Sequence, residues 1–526
     1  MVQLSALALT AAIVVHGVYA SPADLVGLVP RTWQGKQYGC KCYFGDKCWP
    51  KTNAWNKLNT TVEGNLNIHI PPEAACHNTF NGTLGTVNTY DASKCAEVIA
   101  EYTDEQWTTD QLGLNLWKYF TNATCQPTDN PSEPCTLGNY GVYAIKATKT
   151  QHVKAGIDFA RDNNLRLIIR NTGHDFIGRS TGWGALIINT HSFQDITFSK
   201  QWTGPGGYNG GTVTIGAGVQ GRALLQAANA QSPPVVVVTG ECPTVGIAGG
   251  LVGGGGHGPL TTLHGMTADN ALEFEAITAD GKYVKANAKE NPDLFFGLKG
   301  GGPSSFAIVT SVTFRTYPEE KAAGGANGIP FESSTKGFGT FYELYTDLFH
   351  DEQAGAHSLT GGWMFSHADV EKRNDQIIDA FKTVVSPRED LQNSGFMVGH
   401  LWNAGYGWPE ANSATHPAFR NATDFIITIL PVPVGASLEK KADLQNVLTN
   451  IQDEAMRQAG PEGCTYVNEA DPFQPNWQDA FWGPVYPTLL SLRKKWDPKG
   501  VFYAVATPGT EDWKEIEFGT RLCKKL

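Results

Sequence analysis

The sequence has no surplus of positive charge: 40 lysines and arginines stand against 51 acidic residues, a formal net charge of -11. Nucleic acid is held by clustered cations, so it is excluded as a partner. No Gly-Lys-Ser/Thr follows a glycine-rich loop, and no Gly-x-Gly-x-x-Gly opens a strand-helix-strand unit, which removes the two commonest nucleotide cradles. The one long apolar run, Leu4 to Val15, is shorter than the roughly 20 residues a bilayer span needs, so no membrane partner is expected. No tandem repeat is present. Charged residues are sparse, 17% against 41% apolar, and this balance excludes a disordered chain.

What is present is a chain of 526 residues, too long for one ordinary core, with 58 glycines and ten cysteines. Residues 1–20 resemble a secretory signal cleaved before Ser21, although the segment before the apolar run carries no Lys or Arg. Seven cysteines (Cys40, Cys42, Cys48, Cys76, Cys95, Cys125 and Cys135) fall before residue 140, as in a disulfide-stapled exported protein. The spacing in "CKCYFGDKC" matches no common zinc finger, so no metal is expected. Sequons at Asn59, Asn81, Asn122 and Asn421 add the expectation of glycosylation and an extracellular location.

Periodicity divides the chain. "DASKCAEVIAEY" reads as a helix capped by Asp91 or Ser93. From residue 136 a strand, an amphipathic helix with Val153, Ile157 and Ala160 on one face, and the strand "LRLIIR" follow in turn. Further strands are expected at "GALIIN", "GTVTIGAG", "PVVVVTG", "ALEFEAITADGKYV" with a hairpin turn at Asp280 and Gly281, and "SFAIVTSVTFRTY". After Pro318 the composition shifts to charge and glycine. Beyond it come a helix near "GFGTFYELYTDLFHDEQ", strands in "LTGGWMFSH", "SGFMVGHLWNAG" and "TDFIITILPVPVG", and a helix in "LEKKADLQNVLTNIQDEAMRQ". The fold class is α+β: a disulfide-rich part (21–135), a glycine-rich core domain (136–317), a substrate domain with an antiparallel sheet covered by helices (318–480), and a closing segment (481–526) returning to the core domain.

Glycines Gly253 to Gly256 in "GIAGGLVGGGGHGP" remove β-carbons where a flat or phosphorylated group could approach the backbone. "RNTGHDF", "GECPTVGIAGGLVGGGGHGPLTTLHGMTADNALEFEAITADGK" and "NPDLFFGLKGGGPSSFAIVTSVTF" together resemble the PCMH-type FAD-binding domain of the vanillyl-alcohol-oxidase superfamily, in its berberine-bridge-enzyme-like branch. The closing "YVNEADPFQPNWQDAFWGPVYPTLLSLRKKWDPKGVFY" is similar to that branch's last segment. "CKCYFGDKCWP" resembles secreted fungal proteins similar to isoamyl alcohol oxidase, so the resemblance covers nearly the whole chain.

The resemblance implies FAD attached covalently through His174 to the 8α carbon and through Cys242 to C6. It places Asn171, Thr172, Gly173 and Asp175 beside His174 on one side of the cofactor, and Thr244, Val245, Gly246, Gly249, Gly250, Gly254 and Gly258 on the other. Val309 would meet the adenine end and Asn468 the ring. A thioether at Cys242 leaves nine cysteines, which implies a further free thiol. The branch supplies a catalytic tyrosine from a Tyr-x-Asn-Tyr element; here that element reads Tyr466, Val467, Asn468, Glu469, with glutamate in the tyrosine's place. Glu469 and Tyr466 are the catalytic candidates from this element, while His400, Tyr406, His367 and Asp369 offer alternative bases. His257 and His264 read as supporting or core histidines, with no metal site built from them and His191. Trp363, Trp402, Tyr406 and Trp408 read either as an aromatic platform or as core. The implied activity is that of a secreted, monomeric FAD-dependent oxidase of an alcohol, sugar or phenolic substrate, reducing O2 to H2O2. The alternatives are an oxidative cyclase or dehydrogenase of secondary metabolism and a flavin-free secreted binding protein.

Overall fold

The computed structural model describes residues 27–319, 357–410 and 412–526. The expected signal segment and the helix near "GFGTFYELYTDLFHDEQ" lie outside them. Two sheets make up the first half of the core. In one, β1 (Leu66–Ile68), β2 (Tyr143–Lys146), β3 (Leu167–Arg170) and β4 (Leu186–Asn189) lie in the order β1-β2-β4-β3, with β2, β4 and β3 parallel. The other holds β5 (Ile196–Ser199), β6 (Thr212–Gly216), β7 (Ala271–Thr278), β8 (Tyr283–Asn287) and β9 (Ala307–Arg315), antiparallel in the order β5-β6-β9-β7-β8.

Between the two sheets lies the helix Thr150–Asp162, buried through Val153, Gly156, Ile157 and Ala160 against a cluster that includes Ile145 and Ile188 from the first sheet and Ile277 and Ile308 from the second. A β-carbon on Gly156 would come 2.6 Å from Ile188 Cδ1, so the close helix-sheet approach depends on its absence. Alternation along β9 buries Ile308, Thr310, Val312 and Phe314, as its period of two requires. The β7–β8 turn falls at Asp280 and Gly281, where Gly281 adopts φ +78. "PVVVVTG" yields only the two-residue strand Val235–Val236, paired with Tyr317–Pro318: prolines 233 and 234 lack the N–H groups a longer ladder needs.

The third sheet, β10 (Ser358–Ser366), β11 (Phe396–Leu401) and β12 (Ala422–Pro431), is antiparallel in the order β10-β12-β11. Helices Asn374–Val385 and Asp453–Ala459 pack against it and each other. Alternate residues Val398 and His400 of β11, and Ile427 and Ile429 of β12, face a cavity. The seven N-terminal cysteines all form disulfides: Cys42–Cys48, Cys76–Cys95, Cys125–Cys135, and Cys40 with Cys523 near the other end of the chain. The helix Ala92–Glu101 is capped by Asp91, whose carboxylate accepts from the amides of Ser93 and Lys94. The C-terminal helix Tyr486–Trp496 reaches the core sheets through buried Arg493, which donates to the carbonyls of Ser305 and Phe502.

Candidate active site

Two loops meet along a narrow channel. The first, 171–180, leaves the end of β3 at Arg170, a fully buried guanidinium whose donors reach the carbonyls of Thr108, Thr109, Leu114 and Asn171 at 2.6–3.2 Å. Burial lowers its pKa to about 9. The carbonyls that hold it tie the loop to the disulfide-rich part, and so to the short helix α1 (Glu105–Asp110). Within the loop, Gly173 has φ +81, and a β-carbon there would sit 2.7 Å from Leu114 O. Asp175 accepts from Ser180 N at 2.6 Å and from Arg179 Nε at 3.2 Å, and Arg179 donates to Asn468 Oδ1 at 2.9 Å.

The second loop turns through a wide helical coil, Ile247–Leu251, into Val252–Gly254. Ala248 and Gly249 lie in its first turn, where amides have no acceptor behind them in the helix. β-carbons on Gly246 or Gly249 would run into Asn171, and one on Gly254 into Asn468; on Gly250 nothing stands within 4 Å. Asn468 Nδ2 donates to Gly250 O at 2.9 Å and to the Tyr466 hydroxyl at 2.7 Å. Burial, with the nearby charge of Glu469, pushes the Tyr466 phenol well above its ordinary pKa.

Of the residues expected around the cofactor, Asn171, Thr172, Gly173, His174, Asp175, Val245, Gly246, Gly249, Gly250, Val309 and Asn468 line this channel. Gly254 supports it from behind through Asn468. Cys242, Thr244 and Gly258 line the adjoining cavity, to which His174, Val245 and Glu469 also belong. Channel and cavity therefore meet at these shared residues.

At this junction His174 Nε2 lies 2.6 Å from Thr244 Oγ1 and 4.0 Å from Cys242 Sγ. Thr244 donates to Glu105 Oε2 at 2.9 Å, and the Cys242 thiol reaches the same oxygen at 3.6 Å. Burial lowers His174 to about 4, so the imidazole is neutral near pH 7; Glu105 opposes this drop, and Arg170 adds to it. Burial and the Glu105 charge raise the Cys242 thiol to about 11. Cys242 forms no disulfide, and the other unpaired cysteine is the buried Cys464, which accounts for the even number.

The cavity, of about 900 Å³, is floored by β11 and β12 and walled by Trp402, His257, His400 and Glu241. Two histidine-carboxylate pairs face each other there: His257 Nε2 to Glu469 Oε2 and His400 Nε2 to Glu241 Oε1, each 2.9 Å, with the imidazole centroids 5.0 Å apart. Burial alone would lower His400, but the hydrogen bond it donates to the Glu241 carboxylate and the charge of Glu469 raise it above its ordinary value. His257 thus belongs to the cavity wall rather than to the core, and its ring lies nearly parallel to Trp402 at 5.8 Å.

Other candidates lie elsewhere. His367 is exposed beside Glu371, and Asp369 is buried as the capping-box partner of Ser366. Tyr406 is 77% exposed, Trp408 sits against Arg315, and Trp363 is core with its Nε1 bonded to Gly460 O. His264 stacks on Tyr317 and His191 pairs with Asp110, so neither joins His257 in a metal cluster among the described residues. Glu105 and Glu241 went unread in the sequence. Glu241 could have been flagged by its place beside Cys242, whereas nothing in "DEQWTTD" sets Glu105 apart.

Fold, channel and cavity define a flavoprotein of the vanillyl-alcohol-oxidase type. A family model described as an FAD binding domain matches residues 142–287, and one described as berberine and berberine like matches residues 465–506. The chain belongs to the FAD-linked oxidoreductases of this vanillyl-alcohol-oxidase and berberine-like family. It is 32% identical to the FAD-linked oxidoreductase ZEB1 of Gibberella zeae, over 95% of this chain and 98% of that one. It is 31% identical to the VAO-type flavoprotein oxidase VAO615 of Thermothelomyces thermophilus, over 92% and 95%. The crystal structure of the VAO-type flavoprotein MtVAO615 from Myceliophthora thermophila C1 superposes with a TM-score of 0.78 at 28% identity, covering 92% of this chain and all of that one.

The channel suits FAD on its own features. The β-carbon position of Gly250 faces open space, and two buried polar atoms lining the channel, Asn171 Oδ1 and Arg179 Nη1, have no hydrogen-bond partner among the described residues. Buried polar atoms are rarely left unpaired, so both are suited to receive a polar ligand.

Proposed function

We propose that this oxidoreductase is a secreted oxidase of CH–OH donors, taking an alcohol, sugar or phenolic substrate, with FAD attached covalently to both His174 and Cys242. The observation that carries this reading is the 4.0 Å approach of His174 Nε2 to Cys242 Sγ where channel and cavity meet. Outside a cell, occupancy of a dissociable cofactor falls with its free concentration, and two bonds remove that dependence. When bound, the flavin would accept the substrate's hydride and pass the two electrons to O2 as H2O2.

The chain's own part is positioning and proton transfer. Asn468, held by Arg179 and by Tyr466, fixes the ring's place, Gly250 leaves open space for it, and Gly246 and Gly249 let the coil lie close against Asn171. Tyr466, buried and bonded to Asn468, supports this arrangement from the channel side. Glu469 lines both spaces and takes the hydroxyl proton, sharing it with His257 through their 2.9 Å bond. Val398, Ile427, Ile429 and Trp402 offer the substrate an apolar face. Four disulfides accord with an oxidising compartment, and the sequon residues Asn81, Asn122 and Asn421 are exposed while Asn59 is half-exposed, so all four are open to glycosylation. No helix among the described residues is long and apolar enough to cross a membrane.

Peroxide release across a panel of alcohols, sugars and phenols, scored with a coupled peroxidase, tests the reading; a fully flavinylated protein silent on the whole panel contradicts it. A second reading is favoured by one comparison. The bifunctional decalin synthase calF of Penicillium decumbens is 30% identical over 96% of this chain and 98% of its own length. A cavity of about 900 Å³ also has room for a polycyclic precursor. Under that reading the protein is an oxidative cyclase of secondary metabolism, marked by slow reoxidation in air and an apolar product.

A further inference from the structure

Glu105 sits where a single carboxylate oxygen serves both attachment residues. Its Oε2 accepts from Thr244 Oγ1 at 2.9 Å and lies 3.6 Å from Cys242 Sγ, and Thr244 Oγ1 in turn lies 2.6 Å from His174 Nε2. Because the Thr244 hydroxyl gives its proton to Glu105, its remaining lone pairs receive the Nε2–H of His174. That leaves Nδ1 of His174 without a proton, and no hydrogen bond to it is present among the described residues. The donor atoms of Glu105, His174 and Cys242 all lie within 4.8 Å of one another.

We propose that Glu105 is the shared base for covalent flavin attachment, acting on His174 through Thr244 and on Cys242 directly. The proposal rests on the double attachment argued above. Joining His174 Nδ1 to the 8α carbon forms one C–N bond and breaks a methyl C–H and the Nε2–H. The Nε2 proton passes to Thr244 as the Thr244 proton passes to Glu105, the methyl proton goes to solvent, and the two electrons go to the flavin and then to O2, giving H2O2. Joining Cys242 to C6 forms a C–S bond and breaks the S–H and a ring C–H. The thiol proton goes to Glu105, the ring proton to solvent, and two electrons again to the flavin and O2. Between the two events Glu105 releases its proton into the cavity that it lines.

The neutral imidazole of His174 is already nucleophilic, whereas the thiol of Cys242, held at about 11, needs a base beside it. The two links therefore differ in how they depend on this pair of residues. Cys242 Sγ also touches Thr244 Oγ1, at 3.7 Å, but has its own 3.6 Å contact with Glu105, so loss of the Thr244 hydroxyl removes the route from His174 and leaves that of Cys242, while loss of the Glu105 carboxylate removes both.

The full chain, produced in a flavin-limited host, is incubated aerobically with FAD. Acid precipitation at timed intervals, followed by peptide mass mapping, measures flavin on each residue, and retention of non-covalent FAD together with the melting temperature reports folding. In Glu105→Gln both attachments slow on the order of 10²-fold. In Thr244→Ala the His174 attachment slows while that at Cys242 keeps its rate, and Thr244→Ser, which retains a hydroxyl, restores the first. Wild-type rates at both residues in folded, FAD-retaining Glu105→Gln overturn the proposal, as does equal slowing of both in Thr244→Ala. Wild-type protein that holds FAD without any covalent bond overturns the double attachment itself, a different failure from the first.

Discussion

His257 Nε2 lies 2.9 Å from Glu469 Oε2, although 212 residues separate them in the chain. The glycine-rich loop brings the imidazole and the element Tyr466–Glu469 brings the carboxylate. Glu469 lines both channel and cavity, and His257 holds it from the cavity wall.

If this pair moves the substrate proton, Glu469→Gln keeps its flavin and its fold but loses turnover on the order of 10²-fold. Anaerobic stopped-flow measurement of flavin reduction by a turned-over substrate is the check. An unchanged reduction rate places the base elsewhere, with His400 next in line because it also faces the cavity.

Gly250 and Gly156 separate two uses of glycine. The β-carbon position of Gly250 meets nothing within 4 Å, so Gly250→Val is expected to fold with a near-normal melting temperature yet purify without yellow colour. Gly156→Val meets Ile188 and Ile145 inside the helix-sheet contact and is expected to cost about 1–3 kcal/mol of stability. Thermal melts and absorbance at the flavin band distinguish the two.

The pair His400–Glu241 gives a pH signature. His400 is raised in the fold, so its contribution to stability is complete below the unfolded histidine value and is lost as pH rises through the raised one. Glu241 is lowered, first by its hydrogen bond to His400, so its contribution is present above the unfolded glutamate value and is lost as pH falls through the lowered one. The stability difference between wild type and His400→Gln is therefore greatest at mildly acidic pH and shrinks on either side. Melting temperatures of both proteins between about pH 4 and 9 test this; a pH-independent difference contradicts it.

The disulfide Cys40–Cys523 joins residues 483 apart and anchors the sheet formed by Val29–Trp33, Lys36–Cys40, Trp513–Ile516 and Arg521–Lys525. Cys523→Ser is expected to lower stability by about 2–5 kcal/mol while leaving flavin binding intact, since the bridge lies away from the channel. Denaturant melts compared with flavin absorbance measure both effects.

Much of this was legible in the chain because local pattern and tertiary contact agree. Val153, Ile157 and Ala160 mark a helix buried on one face, Asp280 and Gly281 mark a hairpin, and the two glycine-rich stretches mark the channel. What could not be read depends on contacts across long sequence separation. Glu105 belongs to a six-residue helix in the disulfide-rich part and reaches Thr244 and Cys242 because Arg170 fastens residues 108–114 to the His174 loop and Gln220 bonds both Thr109 and the Thr244 carbonyl. His257 has the neighbours of a buried turn in sequence, and Glu469 comes to it from one distant segment, His400 and Trp402 from another, the end of β11. Cys464 gave no sign that it would stay unpaired: it lies on the isolated bridge to Met364, away from every other thiol.

The most direct test of the account is acid precipitation of the purified protein followed by peptide mass mapping. The account predicts that the pellet stays yellow and that one flavin links the peptide containing His174 to the peptide containing Cys242. A colourless pellet, with both peptides at their unmodified masses, would contradict it.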